Sequence, residues 1–419
     1  MEQWYLYKKK ADFTKIGEKF QIDPVIARLI RNRDVIGDEE IHKYLYGNLS
    51  DISDPFLMKG VREGVDIIRE KIRDRKTIRI ISDYDVDGVV SNYILWKAIY
   101  DLGGMIDFQI PDRMKDGYGI NENIIEKAVE DQIDTILTCD NGIAASEAIR
   151  FGKEHGLTMI ITDHHDVPFI LNEDGSKEEI LPPADVVINP KQKECKYPYP
   201  LLCGAGVAFQ FVRALYKSMG EDENKLEDLL SMLAIATVCD VVDLTGENRI
   251  FVKEGLKRIK ETRNVGLRAL LDVHDLMEKQ IQSYALGFII GPCINASGRL
   301  ESAEKALNLF LEEDKKKAMQ TAKNKFYAAN AELKNSRPGY LDALLQEFRD
   351  STFIPYLQPL YSIQYNRVYG AEVLVRKIDP HGNIHTPVEF ISIMECEHMI
   401  SMVDFTMLRQ ACELIQKWK

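Results

Sequence analysis

From Thr77 onward the chain alternates short β-branched runs with amphipathic stretches of helical spacing: TIRIIS, VVSNYILWKAIYDLG, TILTCD, AASEAIRFGKEHG, LTMIITD and ADVVINP. No other feature constrains the fold as much, because strands separated by crossover helices pair in parallel. The order predicts an α/β domain with a doubly wound, mainly parallel sheet. Ligands of such sheets bind outside the carboxyl ends of the strands, and three of these runs stop at acidic or histidine residues.

The first run ends in Ser82-Asp83-Tyr84-Asp85-Val86-Asp87-Gly88. Side chains two residues apart in an extended segment point the same way, so Asp83 and Asp85 can chelate one hard cation, with Asp87 beyond them. Helix capping by the last aspartate, with the others solvated in a loop, is the competing explanation. The run TILTCD ends at Asp140, followed by Asn141-Gly142, and MIITD leads into Asp163-His164-His165. A lone histidine is ordinarily a satisfied loop or core residue. With partners at two other strand ends, mixed carboxylate and imidazole ligation suits Mn²⁺ or Mg²⁺, rather than structural zinc with its thiolates. Asp240 follows the apolar run preceding ATVCDVVD, where an ionised side chain is costly without a cation; Asp243 is the weaker candidate. Asp83, Asp85, Asp140, His164 and Asp240 thus form a candidate ligand set for two ions that would activate water toward a phosphodiester.

A length of 419 residues exceeds the roughly 250 to 300 that one core organises, so two or three domains are expected. Residues 1–75 read as a module of short helices, and 76–300 as the α/β domain with a helical subdomain from Gly204. Residues 302–336 lack proline and glycine and read as one long connecting helix (301–337), stopped by Arg337-Pro338-Gly339. Residues 340–419 begin with hairpin strands and end in two helices. Apolar runs never reach the ~18 residues of a membrane span, and MEQWYLYKKKADF lacks the pattern of a cleaved leader, which predicts a cytoplasmic protein without membrane contact. The seven cysteines are scattered, as buried free thiols would be. A net charge of −12 argues only weakly against a nucleic-acid partner, because clustered ligand carboxylates contribute to it and a binding channel needs only local positive charge.

The ordered set DYDVDG, CDNG, TDHH and ATVCDVVDL resembles the DHH phosphoesterase family. The flanking IARLIRNRDV, PDRMKDGYG, INPKQ, LCGAGVAFQ and GPCINASGRL are similar to its RecJ branch of single-strand exonucleases, over about the first 325 residues. The resemblance implies Mn²⁺ or Mg²⁺, held by Asp83, Asp85, Asp140, His164 and Asp240. It implies catalytic work at Asp85, Asp140, His164 and His165, with Asp87 and Asp163 in support. For the substrate it implies single-stranded DNA cut from its 5′ end, or else short oligonucleotides. Gly204 and Gly206 can bring backbone N–H groups to a phosphate or be plain turn chemistry. Asn295, Ser297 and Arg299 match a substrate-contacting loop in which the guanidinium can grip a phosphate or merely form a surface ion pair.

Past the expected connecting helix the resemblance departs. A run of the G-G-H type is missing after Arg299, and a five-strand barrel does not fit the last 80 residues. Residues 340–418 instead resemble the start of an EAL domain, a family that hydrolyses cyclic di-GMP, with Glu372 matching one of its metal ligands. A barrel opened this way leaves strand edges unpaired. The expectation is a partner-binding remnant or fusion artefact that can self-associate, not a second active site; the missing lobe also leaves open a non-catalytic, regulatory role for the whole chain.

Overall fold

The computed structural model describes residues 9–111, 119–172, 176–300, 303–327, 353–362, 367–378, 382–387 and 400–417. Three short helices come first: α1 (Phe13–Phe20), α2 (Pro24–Asn32) and α3 (Asp38–Tyr46). Asp12 caps α1 by accepting from the Lys15 N–H at 3.0 Å, and Asp23 caps α2 ahead of Pro24. Phe20, Ile30, Val35 and Ile41 form a small apolar cluster of their own. Helix α4 (Val61–Arg73), which the sequence grouped with this module, instead sends Val61, Val65, Ile68 and Ile72 into the main core. A boundary at residue 75 would therefore cut α4 from the sheet it covers.

Next come β1 (Thr77–Ser82), α5 (Val86–Asp101), β2 (Met105–Gln109), α6 (Glu122–Glu130), β3 (Thr135–Cys139), α7 (Ser146–Glu154) and β4 (Thr158–Thr162). A small antiparallel ribbon, β5 (Phe169–Leu171) with β6 (Lys177–Glu179), precedes β7 (Val186–Ile188). The sheet runs β2-β1-β3-β4-β7 with every pairing parallel. Its inner strands are apolar on both sides, as a sheet covered on both faces must be. Ile78, Ile80, Leu137 and Ile160 face α4, α5 and a later helix, whereas Ile81, Ile136, Met159 and Ile161 face α6 and α7. Each such side chain contributes about 1.5–3 kcal/mol by leaving water. Strand β2 escapes the apolar-run reading because MIDFQ is a half-exposed edge whose Asp107 pairs with buried Arg79 at 2.7 Å.

The helical subdomain follows as expected: α8 (Gly204–Met219), α9 (Leu230–Cys239), α10 (Gly246–Arg258) and α11 (Val265–Val273). Nearly every residue of α9 is buried, as suits a helix apolar all round. A short helix, α12 (Ser283–Ala285), runs through a π turn into α13 (Gly291–Leu300). The segment expected as a substrate-contacting loop is thus helical. The long connecting helix is also corrected: residues 304–321 form α14 (Glu304–Leu311) and α15 (Lys315–Thr321), because Glu312 turns extended and Asp314 caps a new helix through the Lys316 and Lys317 N–H groups. Asn264 ties α14 down by donating to the Phe310 carbonyl at 2.8 Å. The remainder of that expectation, and the Arg337-Pro338-Gly339 stop, lie outside the described residues.

Residues 330–419 group as a second unit apart from residues 7–329. Within it, β8 (Phe353–Ser362) and β9 (Arg367–Ile378) form the expected antiparallel hairpin, with β10 (Ile384–His385) on β9 and α16 (Ile400–Lys417) over β8. Phe353, Val403 and Met407 are its buried apolar side chains among the described residues. The first of the two expected C-terminal helices lies outside the described residues. Among those described, no helix is long and apolar enough to cross a membrane.

Candidate metal centre

The carboxyl edge of the parallel sheet collects eight of the singled-out side chains. Strand β1 hands over to α5 through Asp83 and Asp85, and Asp85 caps α5 by accepting from the Gly88 N–H at 3.0 Å. A side chain at Gly88 would lie 2.3 Å from the Asp83 carbonyl, so only glycine lets this turn close. Asp140 follows β3 in the left-handed region (φ 58°), tolerated by aspartate better than by most residues. Asp163, His164 and His165 follow β4, and Asp240 caps the C-terminus of α9.

The geometry joins them. His164 Nε2 lies 3.0 Å from Asp140 Oδ1 and 3.7 Å from Asp87 Oδ2, and its Nδ1 lies 3.8 Å from Asp240 Oδ2. Three overlapping groups, Asp83-Asp85-Asp140, Asp87-His164-Asp240 and Asp140-His164-His165, each place ligand atoms within 4.8 Å of one another. Although His164 Nε2 and Asp140 Oδ1 are 3.0 Å apart, they are not in hydrogen-bond geometry. Both, with Asp83 Oδ1 and Asp240 Oδ2, are buried without a hydrogen-bond partner among the described residues. Orphaned buried polar atoms each cost about 1–3 kcal/mol. A donor set of carboxylate oxygens and imidazole nitrogen fits a divalent cation of the Mn²⁺ or Mg²⁺ kind, and a pair of ions could be held by the overlapping groups.

Electrostatics agree with that fit. Burial, reinforced by neighbouring Asp85, pushes the Asp83 carboxyl up to about 6. Burial and the adjacent Asp87 also raise Asp85 and Asp240, and drive Asp140 far above the usual carboxylate range. Burial keeps His164 neutral to lower pH than usual, the form in which imidazole ligates metal.

Two carboxylates have other partners. Asp163 accepts from the N–H groups of Ile143, His164 and His165 at 2.9, 2.7 and 3.1 Å and pairs with His165 Nδ1 at 2.7 Å. Burial would raise it, but these donors hold it below the ordinary value, and its hydrogen bond in turn raises His165. Asp87, 1% exposed, accepts from the backbone N–H groups of Gly204 at 2.6 Å and Ala205 at 2.9 Å. The start of α8 therefore faces a carboxylate of the protein itself, and of the two alternatives open for Gly204 its N–H is here taken up within the protein. Gly204 is needed because a Cβ there would sit 2.6 Å from that of Asp140, while Gly206 packs on Leu202. Asp243 is exposed and outside the groups. Asn295 is half-buried on α13; the side chains of Ser297 and Arg299 lie outside the described residues. A residue the sequence left without a role is Asn189, wholly buried, whose Nδ2 donates to the His165 carbonyl at 2.9 Å. The turn signal INP after β7 is the only trace of it in the sequence.

Residues 77–237 match the model of the DHH family, N-terminal domain, and residues 341–419 that of the EAL domain. The single-stranded-DNA-specific exonuclease RecJ of Bacillus subtilis is 35% identical over 321 residues, covering 76% of this chain and 39% of that protein. RecJ of Haemophilus influenzae is 33% identical over 316 residues, 73% and 52% of the two chains. The chain thus spans about half or less of the length of these curated relatives. A crystal structure of exonuclease RecJ bound to manganese superposes with a TM-score of 0.57 at 33% identity, covering 69% of this chain and 70% of that one. The Mn²⁺ complex of RecJ from Thermus thermophilus gives 0.62 at 28% identity, covering 81% and 46%. The strand-end residues from Asp83 to His165 lie within the matched DHH segment, with Asp240 just beyond it, and a third of the residues are shared across most of a solved RecJ chain: this chain belongs to the DHH family, in its RecJ branch.

Proposed function

We propose that the chain is a metal-dependent phosphodiesterase that removes nucleotides from the 5′ end of single-stranded DNA. The convergence of orphaned, buried ligand atoms from β1, β3, β4 and α9 on one sheet edge carries this reading. Asp83, Asp85, Asp140, His164 and Asp240 hold Mn²⁺ or Mg²⁺, two ions in the fullest arrangement, as solved RecJ structures contain Mn²⁺ or Mg²⁺. Bound cations of this kind supply Lewis-acid activation of water and offset charge on phosphoryl oxygens. Asp163 fixes the ring of His165, whose raised proton affinity suits it to pair with a phosphoryl oxygen. Asp87 supports the site by locking the start of α8. Substrate polarity and strandedness, and a substrate-contacting role for Asn295, Ser297 and Arg299, rest on the likeness to RecJ.

Residues 341–419 match a different domain model in the stretch after the RecJ-like part, which favours a second reading, a hydrolase of short oligonucleotides. The described cysteines form no disulfide, which agrees with a reducing compartment. Digestion of 5′- and 3′-labelled single strands and of dinucleotides, with Mn²⁺, Mg²⁺ or chelator, tests both. Metal-dependent release from the 5′ end supports the first; turnover of dinucleotides alone supports the second. No product under any condition leaves a binding or regulatory protein.

A further inference from the structure

Of the flanking segments, INPKQ is unused by the metal centre. Strand β7 ends at Ile188 beside β4, and the next residues form a rigid corner. Asn189 accepts from the Lys191 N–H at 2.8 Å while donating to the His165 carbonyl at 2.9 Å. Gln192 donates back to the Val187 carbonyl at 3.0 Å. Lys191 is therefore stapled by its backbone to the histidine pair. Its ammonium is not comparably fixed: it pairs with Asp166 at 2.9 Å, and that carboxylate is 94% exposed. An ion pair with so solvated a partner is worth little and exchanges readily. The Lys191 charge lies close enough to be felt at both His164 and Asp240.

Six carboxylates line or border this edge, Asp83, Asp85, Asp87, Asp140, Asp163 and Asp240, so a phosphodiester needs fixed positive charge nearby as well as cations. Lysine can move between oxygen partners because its three donors sit on a flexible stem.

We propose that Lys191 is a phosphate-binding residue of this site, held in place by Asn189, and that Asp166 occupies its ammonium until a nucleic-acid phosphate displaces it. The proposal rests on the phosphodiesterase reading for its substrate but not for its test. Binding of a 5′-phosphorylated, fluorescently labelled oligothymidylate would be measured by anisotropy over a salt series, with chelator present and no turnover required. Lys191→Ala should weaken binding about tenfold at low salt, the scale of a lost charge-assisted contact, and lower the slope of log Kd against log salt by about one. Lys191→Arg should restore most of both. Asp166→Asn should tighten binding a few-fold, whereas a merely structural tether predicts that it weakens binding as Lys191→Ala does. Since Asp166 is almost fully exposed, this variant remains informative should Lys191→Ala fold poorly. Unchanged affinity and slope in folded Lys191→Ala, or no tightening in Asp166→Asn, would overturn the assignment even if metal-dependent hydrolysis is found. Hydrolysis absent with the binding changes intact would instead remove the phosphodiesterase reading alone.

Discussion

In the parallel sheet Asp83, Asp140 and His164 are 4%, 3% and 6% exposed, and they converge with atoms that have no hydrogen-bond partner among the described residues. In the C-terminal sheet Glu372, the residue matching an EAL metal ligand, is exposed on β9 opposite Gln358. The two regions share strands and acids, yet among the described residues only the parallel sheet brings its acids together. A carboxylate alone at a strand is a solvated charge. Several carboxylates delivered to one buried edge repel each other and raise their own proton affinities, and a divalent cation relieves both penalties. Convergence, rather than the presence of a matching residue, marks a candidate metal centre.

The sharpest break of this contrast is Asp140→Ala. Hydrolysis should fall by more than about a hundredfold, the upper end of what losing a mere outer partner costs. Thermal stability of the metal-free protein should hold or rise, since a buried repelling charge is gone. Near wild-type turnover at saturating Mn²⁺ would refute the ligand role. Glu372→Ala, the matched change in the other sheet, should leave hydrolysis untouched.

Proton linkage gives the next largest effect. Asp83 has a folded-state pKa raised from 3.8 to about 6, so the folded metal-free protein binds more protons than the unfolded chain between those values. The sign is fixed: stability falls as pH rises through that window. Asp83→Asn should therefore stabilise the metal-free protein at pH 7, by on the order of 2 kcal/mol, and by little at pH 4. Wild type should recover the difference on adding Mn²⁺, by about 2.7 kcal/mol at a hundredfold excess over Kd. Denaturant titrations at the two pH values check it, and a stabilisation independent of pH would refute the charge argument.

Arg299→Ala should raise KM about tenfold, with a smaller salt dependence than wild type by about one unit of slope. Steady-state assays across a salt series decide it; equal slopes would exclude a phosphate contact. The smallest change is expected from deleting residues 340–419. Specific activity should stay within a few-fold, and the shortened protein should run smaller on a sizing column because unpaired strand edges no longer associate. A folded but inactive truncation would mean that this segment serves the DHH site.

The convergence of the candidate ligands was legible because they follow apolar runs, and apolar runs are the part of a sequence that burial dictates. The parallel sheet followed from the same runs, apart from β2, whose exposed edge carries no such pattern. What stayed hidden depends on distant partners. Asp87 read as a helix cap or a support of the candidate ligands, and its partners were hidden: its oxygens are taken by backbone N–H groups 117 and 118 residues away. The break at Glu312 was invisible because neither proline nor glycine marks it; the stop comes from Asp314 capping a fresh helix. The family resemblance makes Asn295 and its neighbours a substrate-contacting loop, but they form α13 after a π turn that no local preference announces.

The Asp87 bridge also makes the site a reporter of its own integrity. Two amides at the start of α8 can exchange with deuterium only when α5 and α8 part, and parting them strands a carboxylate that is 1% exposed. Opening should therefore require unfolding on the scale of the whole sheet rather than a local flutter. Amide exchange at Gly204 and Ala205 would then follow the slowest class in the protein, and would slow further when cations occupy the neighbouring ligands.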